Sequence, residues 1–198
     1  MNRQQFLQHF LLQPPPQPEW PARSLRQSAV LVALQERPHG LDLILTRRAK
    51  HLRNQPHQLC FAGGRQDETD HSLLHTALRE AEEELGIDPT QVEIIGDLPS
   101  QPVLNNFMIH PYIGFIAPQI QLRPDPSEVA EVLRFPLTEV LAHSRHHTTR
   151  VERLLYHELV FIPVNGQLIW GATAAIIRRL ADQIHPQHKH LQLPFRGI

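Results

Sequence analysis

The chain has 198 residues, and its 19 Lys and Arg against 20 Asp and Glu leave a formal charge of −1. This balance excludes a global field that would attract nucleic acid or an anionic membrane, and the length is typical of one domain with a substantial core. The single cysteine, Cys60, excludes an intrachain disulfide, and no apolar run is long enough to span a bilayer, so we expect a cytoplasmic protein.

The N-terminal segment predicts a helix followed by an extended spacer. Residues 1–12 are too polar for a signal peptide and indicate a short amphipathic helix that packs on the body of the protein. Pro14–Pro18 cannot continue that helix. We therefore assign residues 1–18 to a helix and spacer, 19–184 to one main domain, and 185–198 to a polar tail.

Two β-prone runs open the main domain. Ser28–Leu34 and Leu41–Thr46 flank the turn-forming segment Arg37–Gly40, which predicts a β-hairpin. Gln58–Phe61 predicts a short strand that leads into the glycine pair Gly63-Gly64. The neighbours of Cys60 in this run favour a buried strand thiol over a reactive one.

A long helix follows over residues 71–85. Asp70 is the expected N-cap, and Gly86 is expected to end the helix. The predicted buried stripe consists of Leu74, Ala77, Leu78, Ala81 and Leu85.

The remaining elements are less regular. Strands are predicted at Val92–Ile95, at Pro111–Ile116 and within Leu154–Val164, and helices at Pro126–Leu133, Leu137–His143 and Ala172–Ile184. Because strands and helices do not alternate regularly, this pattern predicts an α/β fold with a sheet flanked by helices, and it argues against a doubly wound fold.

Acidic residues are concentrated at the end of the long helix. Glu80, Glu83 and Glu84 stand at i, i+3 and i+4 and share one helical face, whereas Glu82 falls on another side. These carboxylates repel one another, and oxygen donors on one face suit a hard divalent cation such as Mg2+ or Mn2+. The competing interpretation is a solvated acidic face, but Gly63-Gly64 and Arg79 at these spacings favour a metal site.

This stretch resembles the Nudix box, Gly-x5-Glu-x7-Arg-Glu-U-x-Glu-Glu-x-Gly-U, in which U is an apolar residue. The match is complete from Arg79 to Ile87, whereas Asp70 stands where Glu is usual and one extra residue precedes Arg79. The form Gly-Gly-x-x-Asp-x-x-Asp, present here from Gly63 to Asp70, resembles the coenzyme A pyrophosphatase branch of that family.

A second block supports the same branch. Leu43–Arg53 followed by Gln58–Gly64 is similar to the additional motif of coenzyme A pyrophosphatases, with three departures: Arg48 replaces Ser, His57 replaces Gly and Ala62 replaces Pro. The resemblance implies a Nudix-type α/β/α sandwich with a central mixed β-sheet and dependence on Mg2+ or Mn2+. It also implies hydrolysis of a small nucleotide, coenzyme A or its thioesters, to 3′,5′-ADP and 4′-phosphopantetheine.

The resemblance also assigns roles to the acidic residues. Glu83 and Glu84 are expected to bind the metal, and Glu80 either binds it or orients and deprotonates the water. Arg79 is expected to lie off the metal face and to pair with a carboxylate. Members of the family often add an acid from a later loop, for which Glu128 and Glu131 are candidates.

The glycines and a basic cluster complete the predicted site. Gly63 and Gly64 let backbone atoms approach the metal and phosphate. The expected substrate-binding cations are Arg47, Arg48, Lys50 and Arg53. The alternative is a basic loop that offsets the nearby acids or faces solvent. Trp170 is expected to be a core residue more than a stacking platform.

Two other functions remain open. The same metal chemistry would serve ADP-ribose, a dinucleotide such as NADH, or a nucleoside triphosphate. The same scaffold would also serve as a catalytically silent nucleotide-binding regulatory domain, although a pure binder has no need of repelling acids.

Overall fold

The structure is a computed structural model that describes residues 1–12, 25–103, 106–153 and 156–185. The predicted proline spacer and the tail beyond residue 185 lie outside the described residues. The helices are α1 (Arg3–Leu11), α2 (Leu73–Leu85), α3 (Leu137–Val140) and α4 (Ala172–Ile184). The strands are β1 (Arg26–Arg37), β2 (Gly40–Arg48), β3 (Leu59–Cys60), β4 (Ala62–Arg65), β5 (Val92–Asp97), β6 (Gln101–Val103), β7 (Phe107–Ile116), β8 (Val129–Pro136), β9 (His147–Arg153), β10 (Tyr156–Val164) and β11 (Gln167–Trp170).

The described strands form one mixed eight-stranded sheet and one three-stranded sheet. In the large sheet the main order is β3-β2-β1-β7-β5, and β4, β6 and β8 pair with β1, β7 and β2. The β1–β7 pairing is parallel, and the other pairings are antiparallel. The small sheet has the order β11-β10-β9. The predicted hairpin is confirmed, with Arg37 opposite Gly40.

Helices cover both faces of the large sheet. Successive side chains of β1 point to opposite faces, so Leu31 and Ala33 pack in the core beneath α2, whereas Val32 and Leu34 pack in the core shared with α4. The inner face of the small sheet, including Ile169, joins the α4 core. The α/β/α sandwich with a mixed sheet is therefore confirmed.

The N-terminal helix packs on the body as predicted. Asn2 and Gln5 form a capping box, and Phe6 and Phe10 are buried. The ring of Phe6 meets that of Phe115 edge to face at 5.8 Å, and Gln183 donates a hydrogen bond to the Phe10 carbonyl. Of the helices in the described ranges, none is long and apolar enough to cross a bilayer.

The helix predicted at Pro126–Leu133 is wrong. This segment leads into β8, which pairs antiparallel with β2 along most of its length. The helix-favouring residues of the segment are overridden because the edge of β2 gains a hydrogen-bonded partner. The next predicted helix, Leu137–His143, is shortened to α3 and a separate 3-10 turn at His143–Arg145.

Candidate active site between the glycine pair and the acidic helix

The two glycines of β4 each meet one carboxylate of α2. A Cβ placed on Gly64 would lie 2.5 Å from the Glu80 carboxylate. The backbone N–H of Gly63 donates a hydrogen bond to Glu84. A side chain at Gly64 would occupy the space of the Glu80 head group, whereas a side chain at Gly63 would overlap Ala29 and Val30 of β1. The glycine pair therefore positions Glu80 and Glu84 between helix and sheet.

Glu84 is the most buried of the acids of α2, since only 3% of it is exposed. Its pKa is raised to about 8, mainly by burial and also by the negative charges of Glu80 and Glu128, against the lowering effects of the Gly63 N–H and of Arg48. Burial also raises the pKa of Glu80, while Arg79 lowers it. A hard divalent cation would offset two unfavourable terms here, the desolvation of the carboxylates and the repulsion between them. The pair therefore fits such a cation.

Arg79 connects the acids to the preceding loop. Its guanidinium lies 2.9 Å from Glu80 and 2.9 Å from Glu83. On its other side it donates two hydrogen bonds of 3.0 Å to the two oxygens of Asp70. The prediction that Arg79 pairs with a carboxylate is confirmed, but its guanidinium lies against the acidic face and not away from it.

Asp70 has a different role from the predicted one. The N-cap of α2 is Ser72, which accepts a hydrogen bond from the His75 N–H, and the N-cap prediction is wrong. Asp70 instead accepts bonds from Arg79, Thr76 and the Asp67 N–H, so its oxygens are already in use. These partners, Arg79 above all, hold its pKa far below its usual range. The sequence could not reveal this role because its main partner lies nine residues away.

The three predicted metal ligands do not form a preassembled cluster. Within the described residues no group of three His, Cys, Asp or Glu side chains is placed to hold an ion. The Glu83 side chain is 58% exposed and is bound by Arg79, whereas Glu84 points under the helix. The expectation that Glu80, Glu83 and Glu84 converge from one face is thus met in spacing but not in orientation.

The structure places the two acids predicted from the later loop, Glu128 and Glu131, on opposite faces of the sheet. Glu128 precedes β8 and is close enough to Glu80 and Glu84 to raise the pKa of both. Glu131 lies on the opposite face, where it pairs with Arg47 at 3.0 Å. Of the two candidates, only Glu128 is on the side of the acidic helix.

The predicted substrate-binding cations also do not all lie on one face of the sheet. Arg47 points to the α4 side and donates a bond of 2.8 Å to Gln167 as well as its bond to Glu131. Arg48 points to the α2 side, where its charge lowers the pKa of Glu84, and it donates to the Asn54 carbonyl. Lys50 and Arg53 are exposed in the loop between β2 and β3. The structure therefore brings Arg48, but not Arg47, to the acids.

Cys60 lines the floor of the same region. Its sulfur lies 3.3 Å from the Thr46 hydroxyl, and burial raises the pKa of the thiol to about 11, with a further contribution from Glu84. A thiol with so high a pKa has little thiolate at neutral pH. Cys60 lies in a strand as expected, but it is partly exposed, so the prediction of a buried thiol is met only in part.

The glycine pair allows a matched test. We expect Gly64→Ala to keep the fold, because the displaced group is the flexible end of Glu80, but to lower kcat about a hundredfold by moving that carboxylate. Gly63→Ala should instead cost more than about 2 kcal/mol of unfolding free energy, since its Cβ would overlap the Ala29 carbonyl and the Val30 backbone at φ +155°. Thermal melting and turnover of both variants check this, and equal losses of stability would contradict it.

Comparisons with known proteins agree with this architecture. Residues 25–155 match the NUDIX domain. "Uncharacterized Nudix hydrolase NudL" from Pectobacterium atrosepticum is 41% identical over 180 residues, covering 90% of this chain and 93% of the relative. A protein of the same name from an Enterobacter species is 43% identical over 160 residues, covering 80% and 83%.

A solved structure shows the shared fold. The MutT/nudix family protein from Enterococcus faecalis superposes with a TM-score of 0.53 at 19% identity, covering 96% of this chain and 72% of that chain. The family match spans about two thirds of the present chain, and the two relatives align over most of their own length. The chain belongs to the Nudix family and is a Nudix hydrolase.

Proposed function

We propose that this Nudix hydrolase cleaves the diphosphate of coenzyme A or its thioesters to 3′,5′-ADP and 4′-phosphopantetheine. The observation that carries the proposal is the position of Arg48. It begins the basic loop, at a position where coenzyme A pyrophosphatases usually have Ser, and it lies on the same side of the sheet as Glu84. Acids that would hold a metal and one cation that suits a phosphate, Arg48, thus share one side of the sheet.

The residues that would hold Mg2+ or Mn2+ are Glu80 and Glu84, with Glu128 nearby. Glu83 would join them by exchanging its contact with Arg79. A bound divalent ion neutralises charge on the diphosphate and makes a water more acidic. Glu80, whose pKa is raised by burial, is suited to accept the proton of that water. Asp70 keeps Arg79 in place, so that the guanidinium limits repulsion between Glu80 and Glu83.

The substrate is tested with a panel and matched variants. Coenzyme A should be hydrolysed in the presence of Mn2+ at least about tenfold faster than dephospho-coenzyme A, because Arg53 and Lys50 are free to meet the 3′-phosphate. We expect Arg53→Ala to remove this preference, and Arg47→Ala to preserve it since Arg47 lies on the other face. Product analysis by chromatography gives the readout.

Two results would contradict this assignment. Faster turnover of ADP-ribose, NADH or a nucleoside triphosphate than of coenzyme A would show that the basic loop serves another nucleotide. An unchanged preference in Arg53→Ala would show that another group binds the 3′-phosphate. A cytoplasmic location belongs to the same proposal and rests on the lone unreactive cysteine.

A further inference from the structure

The loop between β2 and β3 closes on a β-bulge whose first residue is His57. The His57 N–H donates to the Arg48 carbonyl at 3.2 Å, and the Gln58 carbonyl accepts from the Arg48 N–H at 3.0 Å. Arg48 is thus bonded to two consecutive residues of the opposite segment. His57 has φ +64°, the left-handed conformation that the first residue of such a bulge adopts and for which Gly is the usual residue.

A tight turn makes a second demand for glycine at the same position. The Gln58 N–H donates to the Gln55 carbonyl at 3.3 Å, so residues 55–58 form a β-turn with Pro56 second and His57 third. Proline at the second position and a positive φ at the third are the features of a type II turn, whose third residue is usually Gly. Histidine tolerates this conformation better than most residues do, but only Gly adopts it without strain. The backbone alone therefore favours the Gly that coenzyme A pyrophosphatases usually have here, and a side chain present against this preference indicates a role for the side chain itself.

The bulge lies beside the acids of the candidate site. The charge of Arg48 lowers the pKa of Glu84, and the Ala49 N–H donates to the Glu128 carbonyl at 2.8 Å. Paired segments of a sheet lie roughly 5 Å apart. His57 is therefore one strand spacing from the cation that lies nearest to the acids.

The surroundings of His57 favour an anion over a metal ion. The segment between β2 and β3 contains Lys50 and Arg53 and no Asp or Glu. The Arg48 guanidinium also bends over this loop, where it donates to the Asn54 carbonyl at 3.2 Å. Toward the described part of the chain, the exposed ring of His57 makes no hydrogen bond or ion pair, because only its backbone N–H and carbonyl are engaged. Neighbouring cations repel a divalent ion and attract a phosphate, to which a free ring N–H can donate.

We propose that the His57 imidazole binds the diphosphate of the substrate together with Arg48, as a substrate-binding group that a Gly at this position cannot supply. This inference rests on the proposed function in requiring a diphosphate substrate, but it does not depend on the 3′-phosphate. The imidazole N–H donates to a phosphate oxygen, and the Arg48 guanidinium offers a fork of donors beside it. Binding of this kind, equal in the ground state and the transition state, lowers KM and leaves kcat nearly unchanged.

Two variants separate the imidazole from the backbone. His57→Gly and His57→Ala both remove the ring, but only Gly relieves the left-handed conformation. We expect both variants to raise KM for coenzyme A and for dephospho-coenzyme A about tenfold, with kcat within about twofold of the wild-type value. Only His57→Gly should also raise Tm, by about 3 °C. His51→Ala, which removes another exposed histidine of the same loop, is the matched control and should change neither KM nor Tm.

The second test does not depend on turnover. Methylenediphosphonate is a diphosphate analogue whose bridging carbon prevents hydrolysis, and its binding in the presence of Mg2+ is measured by calorimetry. Its Kd should be about tenfold higher in both His57 variants than in the wild type and in His51→Ala.

The outcomes distinguish this inference from the proposed function. If coenzyme A is not hydrolysed, the proposed function fails, and the binding of methylenediphosphonate still decides the role of His57. If both His57 variants bind the analogue and coenzyme A as the wild type does, the inference fails and the proposed function stands. A higher KM in His57→Gly alone would assign the effect to the backbone of the bulge and overturn the role of the imidazole. A higher KM for coenzyme A but not for dephospho-coenzyme A would place the ring at the 3′-phosphate and overturn its assignment to the diphosphate.

Discussion

Replacing Glu84 by Gln is expected to lower kcat about a thousandfold without unfolding the protein. The amide keeps the size of the buried group but removes the charge that would hold the divalent ion, and metal-ion catalysis of this kind contributes several kcal/mol to the barrier. Glu82→Gln is the control, because Glu82 is exposed on the other side of the same helix. A Glu84→Gln variant that retains more than about a tenth of the wild-type rate would contradict the role of Glu84.

Although Glu84→Gln should lower activity, it should make the metal-free protein more stable at high pH. The pKa of Glu84 is raised from 4.5 to about 8, so between these values the folded state holds a proton that the unfolded chain has lost. The stabilising contribution of the protonated group is therefore complete below pH 4.5 and is lost as pH rises through 8. Above that pH, Glu84→Gln should raise Tm by about 4 °C in the presence of a chelator. Calorimetry at two pH values measures this, and added Mn2+ should stabilise only the wild type.

Asp70→Asn should destabilise the fold substantially. The Asp70 side chain is fully buried, and its removal as an anion leaves the Arg79 guanidinium in a partly desolvated place without its main partner. We expect a loss of about 2 kcal/mol of unfolding free energy, less than for a fully buried pair because Arg79 is partly exposed. Activity should fall as well, because a released Arg79 is free to compete for Glu80 and Glu83.

The control for this variant is Asp67→Asn. Asp67 is exposed and lies 3.8 Å from Arg79, so its loss should cost less than about 0.5 kcal/mol. Chemical denaturation of both variants measures the difference. Because the pKa of Asp70 is strongly lowered in the folded state, its contribution should persist at neutral pH and disappear only as pH falls through that lowered pKa. Equal stability of the two variants would show that the Asp70–Arg79 pair is not an anchor.

The spacing of the acids predicted their helix and their chemical class, but it could not predict their separate environments. The three acids do stand at i, i+3 and i+4 of one helix. In the structure, however, Glu84 is buried against the sheet, Glu80 is partly buried and Glu83 faces solvent. That difference depends on the glycine pair, which belongs to another strand and comes into contact only in the folded protein. The spacing of residues along a helix contains no information about which side of that helix will pack against a glycine of another strand.

The positions of the basic residues follow from the alternation of side chains between the two faces of a strand. Arg47 and Arg48 are adjacent in β2, so their side chains must leave opposite faces, and the sequence already contained this restriction. The strand β8 was harder to predict, because helix-favouring residues precede an unpaired sheet edge that only the assembled fold provides. Trp170 is 41% exposed, so its expected place in the core is wrong, and the reason is similar, since short strands such as β11 lack a distinctive periodicity.

Cys60 makes the opening of the site measurable. As the only cysteine in the chain, it reacts with a thiol reagent at a single position, and its high pKa keeps that reaction slow while Thr46 and Glu84 stay in place. The rate of labelling then reports how readily the thiol leaves the environment set by Thr46 and Glu84. Repeating the measurement with Mn2+ and with substrate would compare the free energy of this local opening in each state, without any added probe.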